Sequence, residues 1–310
     1  MARLPVPALA LCSLLLFAGP AAAASFDCAQ ARSADERLIC SVPALDAADT
    51  AVGAAYKTLM GTLATDETAR GFARTEQRAW TERRNRACGF GPGAVAGVTD
   101  PGVCLLAELT RRSRQLVALR ANPALGARLR TVPVTKGQPG TRLFIQAEQP
   151  DIADPAYPGA AAFNETIRRF VAGEIQTFRT DAADLPKEME SELILTADAY
   201  LPAPGIVSVQ FVAEGVQGNG FRYAAAVTVD VAQGLPLTPA QMFGDSPWLA
   251  TATAACRTAV GPDPGMAEVC TGPDLQNPRT WRFEPDRAVA TLLLPGKELR
   301  EIAVPFRPSL

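Results

Sequence analysis

Apolar residues in the first third of the chain recur every three or four positions, which is the spacing of one face of a helix. In the first such segment they are Leu45, Ala48, Val52, Ala55 and Leu59. This spacing predicts helices over 45–63, 67–86 and 105–119. In the second of them the residues expected to face the core are Phe72, Ala73, Ala79 and Trp80. Residues 89–102 are rich in glycine and proline and predict a loop.

Alternating apolar and polar residues dominate the second half and predict strands. The predicted strands span 142–148, 193–200, 206–214, 221–231, 279–283, 288–294 and 300–306. Helical spacing from Phe163 to Phe178 predicts an amphipathic helix between the first two. The chain is therefore expected to be α+β, with a small disulfide-bonded, all-helical N-terminal domain and a C-terminal domain of helices on a largely antiparallel sheet.

A segment rich in proline and glycine, 122–140, separates the two patterns and is predicted to be a linker with room for a short strand. The expected domains lie on either side of it, at 25–121 and 141–310.

The two halves of the chain also differ in charge. Residues 25–131 contain 15 Lys and Arg against 11 Asp and Glu, a net charge of +4. Residues 132–310 contain 14 against 21, a net charge of −7. Neither half is basic enough to indicate nucleic acid binding.

The first 24 residues are typical of a signal peptide. Arg3 gives a positive start, an apolar run extends from Ala8 to Ala18, and alanines precede the cleavage site expected after Ala24. A membrane anchor is the alternative, but the apolar run is shorter than the ~20 residues that span a bilayer. The mature protein is therefore expected to be periplasmic or secreted, without a membrane span.

Six cysteines follow the expected cleavage site, and in an oxidising compartment they predict a disulfide framework. They are Cys28, Cys40, Cys88, Cys104, Cys256 and Cys270. Of the roughly 15 connectivities that six cysteines allow, the spacing favours the pairs 28–40, 88–104 and 256–270. Zinc binding is the alternative, but no pair has the short zinc-site spacing and the sequence contains no histidine.

The absence of histidine excludes Ser-His-Asp, Cys-His and histidine-metal catalysis. A hydrolase with paired carboxylates remains open, and its candidate acids are Asp181, Asp184, Glu188 and Glu190. The same four residues are more typical of a solvated helix start. No catalytic residue, cofactor or metal is therefore predicted.

Two motifs in the N-terminal part resemble the LprI-type lysozyme-inhibitor domain. The first includes Phe26, Asp27, Cys28, Glu36, Cys40 and Tyr56; the second is a Q-R-A-W-x-x-x-R-x-x-x-C pattern with Gln77, Trp80, Arg84 and Cys88. The resemblance covers about 25–120. It implies binding and inhibition of lysozyme.

Each motif residue also has a structural interpretation. Trp80 is expected to anchor a core, and Asp27 and Glu36 to cap or pair locally. The arginine run Arg83, Arg84 and Arg86 predicts a solvated face. The alternative is a site for carboxylates, which arginine binds through paired hydrogen bonds.

Residues from about 142 to 306 resemble an RsiV-like C-terminal domain. The resemblance rests on Tyr157-Pro158 before Phe163-Asn164-Glu165, on Thr228-Val229-Asp230, and on Trp281-Arg282-Phe283-Glu284. It implies lysozyme binding, or a role as a non-catalytic module. The family's hairpin often carries a histidine, and this chain has none there, so no role of that histidine is transferred.

These observations predict a periplasmic, non-enzymatic binding protein whose partner is a lysozyme-type glycosidase or a peptidoglycan component. The alternative is a cell-envelope stress protein or a peptidoglycan-binding accessory protein. An acidic C-terminal half suits a cationic partner.

Overall fold

The computed structural model describes residues 25–94, 98–137, 140–186, 188–261, 268–294, 296 and 298–308. The predicted signal peptide lies outside the described residues. Helices make up the N-terminal part, and two sheets with further helices make up the rest. The expected α+β class is therefore confirmed.

Five helices follow a 3₁₀ turn at Cys28–Gln30 within the described N-terminal part. They are α1 (Ala34–Ser41), α2 (Pro43–Thr62), α3 (Glu67–Ala87), α4 (Pro101–Leu119) and α5 (Pro123–Gly126). The three helices predicted from spacing are confirmed as α2, α3 and α4. Aspartates cap two of them: Asp66 accepts a backbone N–H at the start of α3, and Asp100 accepts two at the start of α4.

Helix α1 was not among the predicted helices, because its 8 residues are too few to show a period. Its start signal is nevertheless a capping box, in which Ser33 and Glu36 each accept the other's backbone N–H. The helix ends at Ser41, because Pro43 disfavours helical backbone in Val42, which is extended. The chain then turns by 109° into α2.

Six strands form the main sheet, in sequence order. They are β1 (Leu129–Lys136), β2 (Leu143–Ile152), β3 (Ser191–Ala203), β4 (Ile206–Gln217), β5 (Asn219–Asp230) and β6 (Leu235–Leu237). Neighbours are antiparallel except for β2 and β3, which are parallel. Helix α6 (Ala160–Ala183) connects this pair, because a parallel connection must carry the chain back to the end where β2 began.

The predicted apolar face of α6 packs on the main sheet. Phe163 and Ile167 are fully buried in the same core as Leu193 on β3 and Phe211 on β4. Phe170 is partly buried and stacks on Phe211 with ring centroids 4.8 Å apart. The core of the C-terminal part therefore lies between α6 and β2 to β5.

A three-stranded antiparallel sheet closes the fold. Its strands are β7 (Trp281–Phe283), β8 (Arg287–Leu294) and β9 (Glu298–Pro305), with the short helices α7 (Pro239–Phe243), α8 (Trp248–Val260) and α9 (Gly272–Gln276) packed nearby. Phe243 meets Trp281, Phe283 and Phe306 with ring centroids 5.4–5.5 Å apart, all near edge-to-face. This cluster is the core of the second sheet.

All three favoured disulfides are present: Cys28–Cys40, Cys88–Cys104 and Cys256–Cys270. The second closes the connection between α3 and α4, and the third joins α8 to a 3₁₀ turn at Glu268–Cys270. The first joins the opening 3₁₀ turn to α1.

The predicted linker, 122–140, contains α5 and β1. Strand β1 pairs with β2 along its length, from Leu129 opposite Ile152 to Lys136 opposite Ile145. The domain boundary itself stays a prediction.

No single helix in the described ranges is long and apolar enough to cross a membrane; α1 and α2 meet that test only as a bent pair.

Candidate functional site

Arg84, the arginine of the second motif, is buried and only 5% exposed. Its Nη2 donates to Asp35 Oδ2 at 2.9 Å, and its Nη1 lies 4.0 Å from Asp49 Oδ1. Burial lowers the Arg84 pKa, while the two aspartates act in the opposite direction. The predicted solvated face therefore includes Arg86, which is exposed, but not Arg84, which is a buried and paired cation.

Trp80 contacts two arginines in the helical core. The guanidinium carbons of Arg84 and Arg112 lie 5.3 and 5.5 Å from its ring centroid. Arg112 donates Nε and Nη2 to Gln77 Oε1 at 3.1 and 2.9 Å. Burial lowers the Arg112 pKa to about 10, so this side chain stays protonated at neutral pH. Trp80 and Gln77 thus hold two buried cations in place.

The other motif residues also serve local structure. Asp27 accepts a backbone N–H at 3.0 Å and caps the opening 3₁₀ turn. Glu36 caps α1, and the backbone hydrogen bond from Ser33 is the main reason that its pKa is lowered. Phe26 and Tyr56 pack against the helical core, where burial raises the Tyr56 pKa. These contacts give each motif residue a role in the fold.

A cleft of about 620 Å³ lies between α3 and β1. One wall is a single face of α3, formed by Thr68, Phe72, Thr75, Ala79 and Arg83. The facing wall is the continuous segment 127–132. Phe72 and Ala79, which helical spacing had assigned to the core, line this cleft and are only partly buried. Its volume is typical of ligand sites, which often lie between structural units.

The three arginines that line the cleft are each paired with a carboxylate. The pairs are Arg83–Glu76 at 2.6 Å, Arg128–Asp154 at 2.9 Å and Arg130–Asp151 at 2.5 Å. Because the charges are balanced within the protein, the cleft favours an uncharged ligand over an anion.

Arg111 on α4 joins the helical part to the main sheet. Its Nε lies 2.6 Å from Asp198 Oδ1, and its Nη2 lies 2.6 Å from Glu148 Oε2. Burial alone would lower the Arg111 pKa, but the two carboxylates outweigh it and the pKa is raised. Glu108 lies one turn earlier on α4. Burial raises the Glu108 pKa, and repulsion from Glu148 and Asp198 adds to the effect. No motif in the sequence signals this cluster, because Arg111 and Asp198 are 87 positions apart.

Four exposed carboxylates follow one another along the chain at and just after the C-terminal end of α6, and we call them the acidic end: Asp181, Asp184, Glu188 and Glu190. The expectation of a helix start is wrong, because Asp181 lies in the last turn of α6 and Asp184 follows that helix. The hairpin of β4 and β5 lies beside them, since Gln217 Nε2 donates to Phe178 O at 3.2 Å. None of the four carboxylates lines the cleft between α3 and β1.

Within the part of the chain that the structure describes, no group of three or more cysteine, aspartate or glutamate side chains is placed to hold a metal ion.

Residues 28–116 match the family model of the lysozyme inhibitor LprI. The predicted resemblance of the N-terminal part is therefore confirmed over that range. The family is one of inhibitors and not of catalysts, and together with the disulfides it indicates an extracytoplasmic protein. No curated protein matches the chain.

Solved structures with a similar arrangement include two DUF3298 family proteins. The one from Pseudomonas aeruginosa PAO1 is 13% identical, with a TM-score of 0.39, and the alignment covers 57% of this chain and 89% of that one. The one from Bacteroides fragilis NCTC 9343 is 14% identical, with a TM-score of 0.35 and the same coverage of both chains. The RsiV-like resemblance of the C-terminal part stays a prediction.

Proposed function

We propose that this protein is an exported, non-enzymatic protein that binds and inhibits a lysozyme-type glycosidase. The match of residues 28–116 to the lysozyme inhibitor LprI family carries the proposal. The two disulfides within that range support it, because such bonds persist in the oxidising compartments where lysozymes act.

The acidic end is a surface that would suit a cationic lysozyme. A helix carries partial negative charge at its C-terminus, so carboxylates there are unfavourable for the helix. The stability of α6 therefore does not account for Asp181 and Asp184. Complementary charge would instead speed the encounter with a basic partner and orient it.

Lysis of a peptidoglycan wall suspension by c-type and g-type lysozymes tests the proposal. The intact, disulfide-bonded protein should slow the fall in turbidity, and it should cause no lysis when added alone. Raising the salt from about 0.05 to about 0.3 M shortens the screening length from roughly 14 to roughly 6 Å, so inhibition should weaken.

A pair of charge variants tests the surface. The first replaces the acidic end through Asp181→Asn, Asp184→Asn, Glu188→Gln and Glu190→Gln. The control removes four exposed carboxylates elsewhere, through Asp245→Asn, Glu268→Gln, Asp274→Asn and Asp286→Asn. The two variants have the same net charge. Slower association with lysozyme in the first variant alone would therefore place the contact at the acidic end.

Different results separate the competing functions. If the intact protein neither binds nor inhibits either lysozyme at low salt, the inhibitor function fails. Sedimentation of the protein with wall material in the absence of lysozyme would then support a peptidoglycan-binding accessory protein. Lysis by the protein alone would support the carboxylate hydrolase.

A further inference from the structure

The outer edge of β1 presents backbone groups that β2 does not use. Ala153 N donates to Arg128 O at 2.8 Å, which places these two residues at a hydrogen-bonded position of the ladder, although Arg128 N itself donates to Leu125 O. The next pair is Leu129 opposite Ile152, and there the Asn164 side chain occupies both the N–H and the C=O of Ile152, at 2.7 and 3.0 Å.

Hydrogen-bonded and non-hydrogen-bonded pairs alternate along an antiparallel ladder. Leu129 therefore directs its N–H and C=O away from β2, and so does Thr131 two positions later. Pro133 has the same orientation and no N–H, which is how edge strands limit unwanted pairing. The outward N–H and C=O groups of β1 can therefore pair with another strand as far as Thr131, and Pro133 interrupts the row of donors.

This edge faces the cleft. Alternate side chains of a strand point to opposite faces of a sheet, yet the four consecutive strand residues 129–132 all line the one cavity. An edge-on view of the strand accounts for this lining. The face of α3 that carries Phe72 and Ala79 lies across the cavity from it.

We propose that the cleft binds an extended peptide segment, which adds to the main sheet by pairing with Leu129 and Thr131 of β1 and is covered by α3. Strand addition of this kind takes its affinity from backbone hydrogen bonds and its selectivity from alternate side chains. Phe72, Ala79 and Val132 offer apolar contacts, and the arginines are already paired. The ligand is therefore an uncharged peptide with small apolar side chains at alternate positions. This inference goes beyond the proposed lysozyme contact and does not depend on it.

A fluorescently labelled, end-capped hexapeptide of alternating valine and threonine is a suitable probe for the intact protein. Binding is measured by fluorescence anisotropy. A second peptide keeps the same side chains but has N-methylated peptide bonds, which removes its donors. The first should bind saturably, and the second at least about tenfold more weakly.

Two variants test the two walls separately. Ala79→Trp fills the cleft from α3, and Thr131→Pro removes an outward N–H without removing a hydrogen bond to β2. Each should weaken binding of the probe at least about tenfold. The controls are Arg78→Trp, at an exposed position of α3, and Thr135→Pro, which has the same outward orientation beyond the cleft.

Circular dichroism and thermal unfolding identify any variant that is misfolded, and the N-methylated peptide tests the pairing on the wild-type protein regardless. Loss of binding in both cleft variants, with binding retained in both controls, would establish the site. Equal binding of the two peptides, no binding of the first peptide up to millimolar concentration, or unchanged binding to a folded Ala79→Trp or Thr131→Pro variant would overturn it.

Discussion

Arg84 on α3 and Asp35 on α1 form a buried ion pair across 49 positions of sequence, with Arg84 Nη2 2.9 Å from Asp35 Oδ2. Their side chains are 5% and 7% exposed. The pair holds α1 against α3, and Asp49 on α2 lies 4.0 Å from the same guanidinium. One arginine therefore connects three helices of the N-terminal part.

Arg84→Met should destabilise the protein by about 3–5 kcal/mol, because it leaves Asp35 buried without its cation. Urea unfolding followed by circular dichroism measures this change. Arg74→Met on the same helix is the control, since its pair with Glu67 is 42% and 70% exposed and should contribute about 0–1 kcal/mol. Similar losses in the two variants would contradict a special role for the buried pair.

Glu108→Gln should stabilise the protein at pH 7. The Glu108 pKa is higher in the folded protein than its usual value, because of burial and the nearby Glu148 and Asp198. The folded state therefore holds this proton more tightly than the unfolded chain, and stability is lost as the pH rises through the folded pKa.

The same variant should have little effect near pH 3.5, where the unfolded chain is also largely protonated at this position. Urea unfolding at both pH values measures the difference. Glu82→Gln, at an exposed position of α3, is the control. A Glu108→Gln variant that is less stable than wild type at pH 7 would show that attraction to Arg111 outweighs burial.

The third disulfide should stabilise the fold through the unfolded chain. Cys256 and Cys270 are 14 positions apart, and closing a loop of that length contributes about 3 kcal/mol in the chain-entropy account. The double substitution Cys256→Ser with Cys270→Ser should lower the free energy of unfolding by about that amount. The unreduced, denatured wild type should react with no thiol reagent, and a labelled cysteine among the six would refute full pairing.

The backbone nitrogen of Ser25 lies 2.7 Å from Asp49 Oδ2. If cleavage follows Ala24, as the sequence predicts, this nitrogen becomes a charged ammonium beside a carboxylate that is 4% exposed. Charged hydrogen bonds are stronger than neutral ones. Protein that begins at Ser25 should therefore be about 1–2 kcal/mol more stable than protein with one additional N-terminal alanine.

Thermal and urea unfolding compare the two proteins, and mass spectrometry of exported protein identifies its first residue. Gly53 leaves room for this contact, because a Cβ there would lie 2.7 Å from Ser25 Cβ. Equal stability of the two N-termini would mean that the charge adds nothing at this position.

Local signals allowed much of the fold to be predicted. Apolar spacing located α2, α3, α4 and α6, and alternation located β2 to β5 and β7 to β9. Strand β6 was missed, and β1 was expected only as a short strand within the linker. The disulfide pairs followed from neighbouring positions in sequence. Helix α1 was missed although Ser33 and Glu36 carried its capping signal, because the spacing of apolar residues alone does not reveal so short a helix.

The candidate binding surfaces depend on contacts that no local pattern contains. The sequence placed Arg84 in a run of arginines expected to be solvated. In the structure it is buried, and Asp35 and Asp49 on two other helices supply the opposite charge. Likewise, spacing cannot tell a helix face that packs in a core from one that borders a cleft, so Phe72 and Ala79 were assigned to the core.

The sequence by itself determined most of the helices and strands, the favoured disulfide pairs and the resemblance to an inhibitor family, because each rests on residues close together along the chain. Only the tertiary structure decided which charges are buried, that β2 and β3 run parallel, and that the outer edge of β1 faces α3 across a cleft. These features depend on how distant segments approach one another, and that approach is set by the packing of whole helices on the sheet.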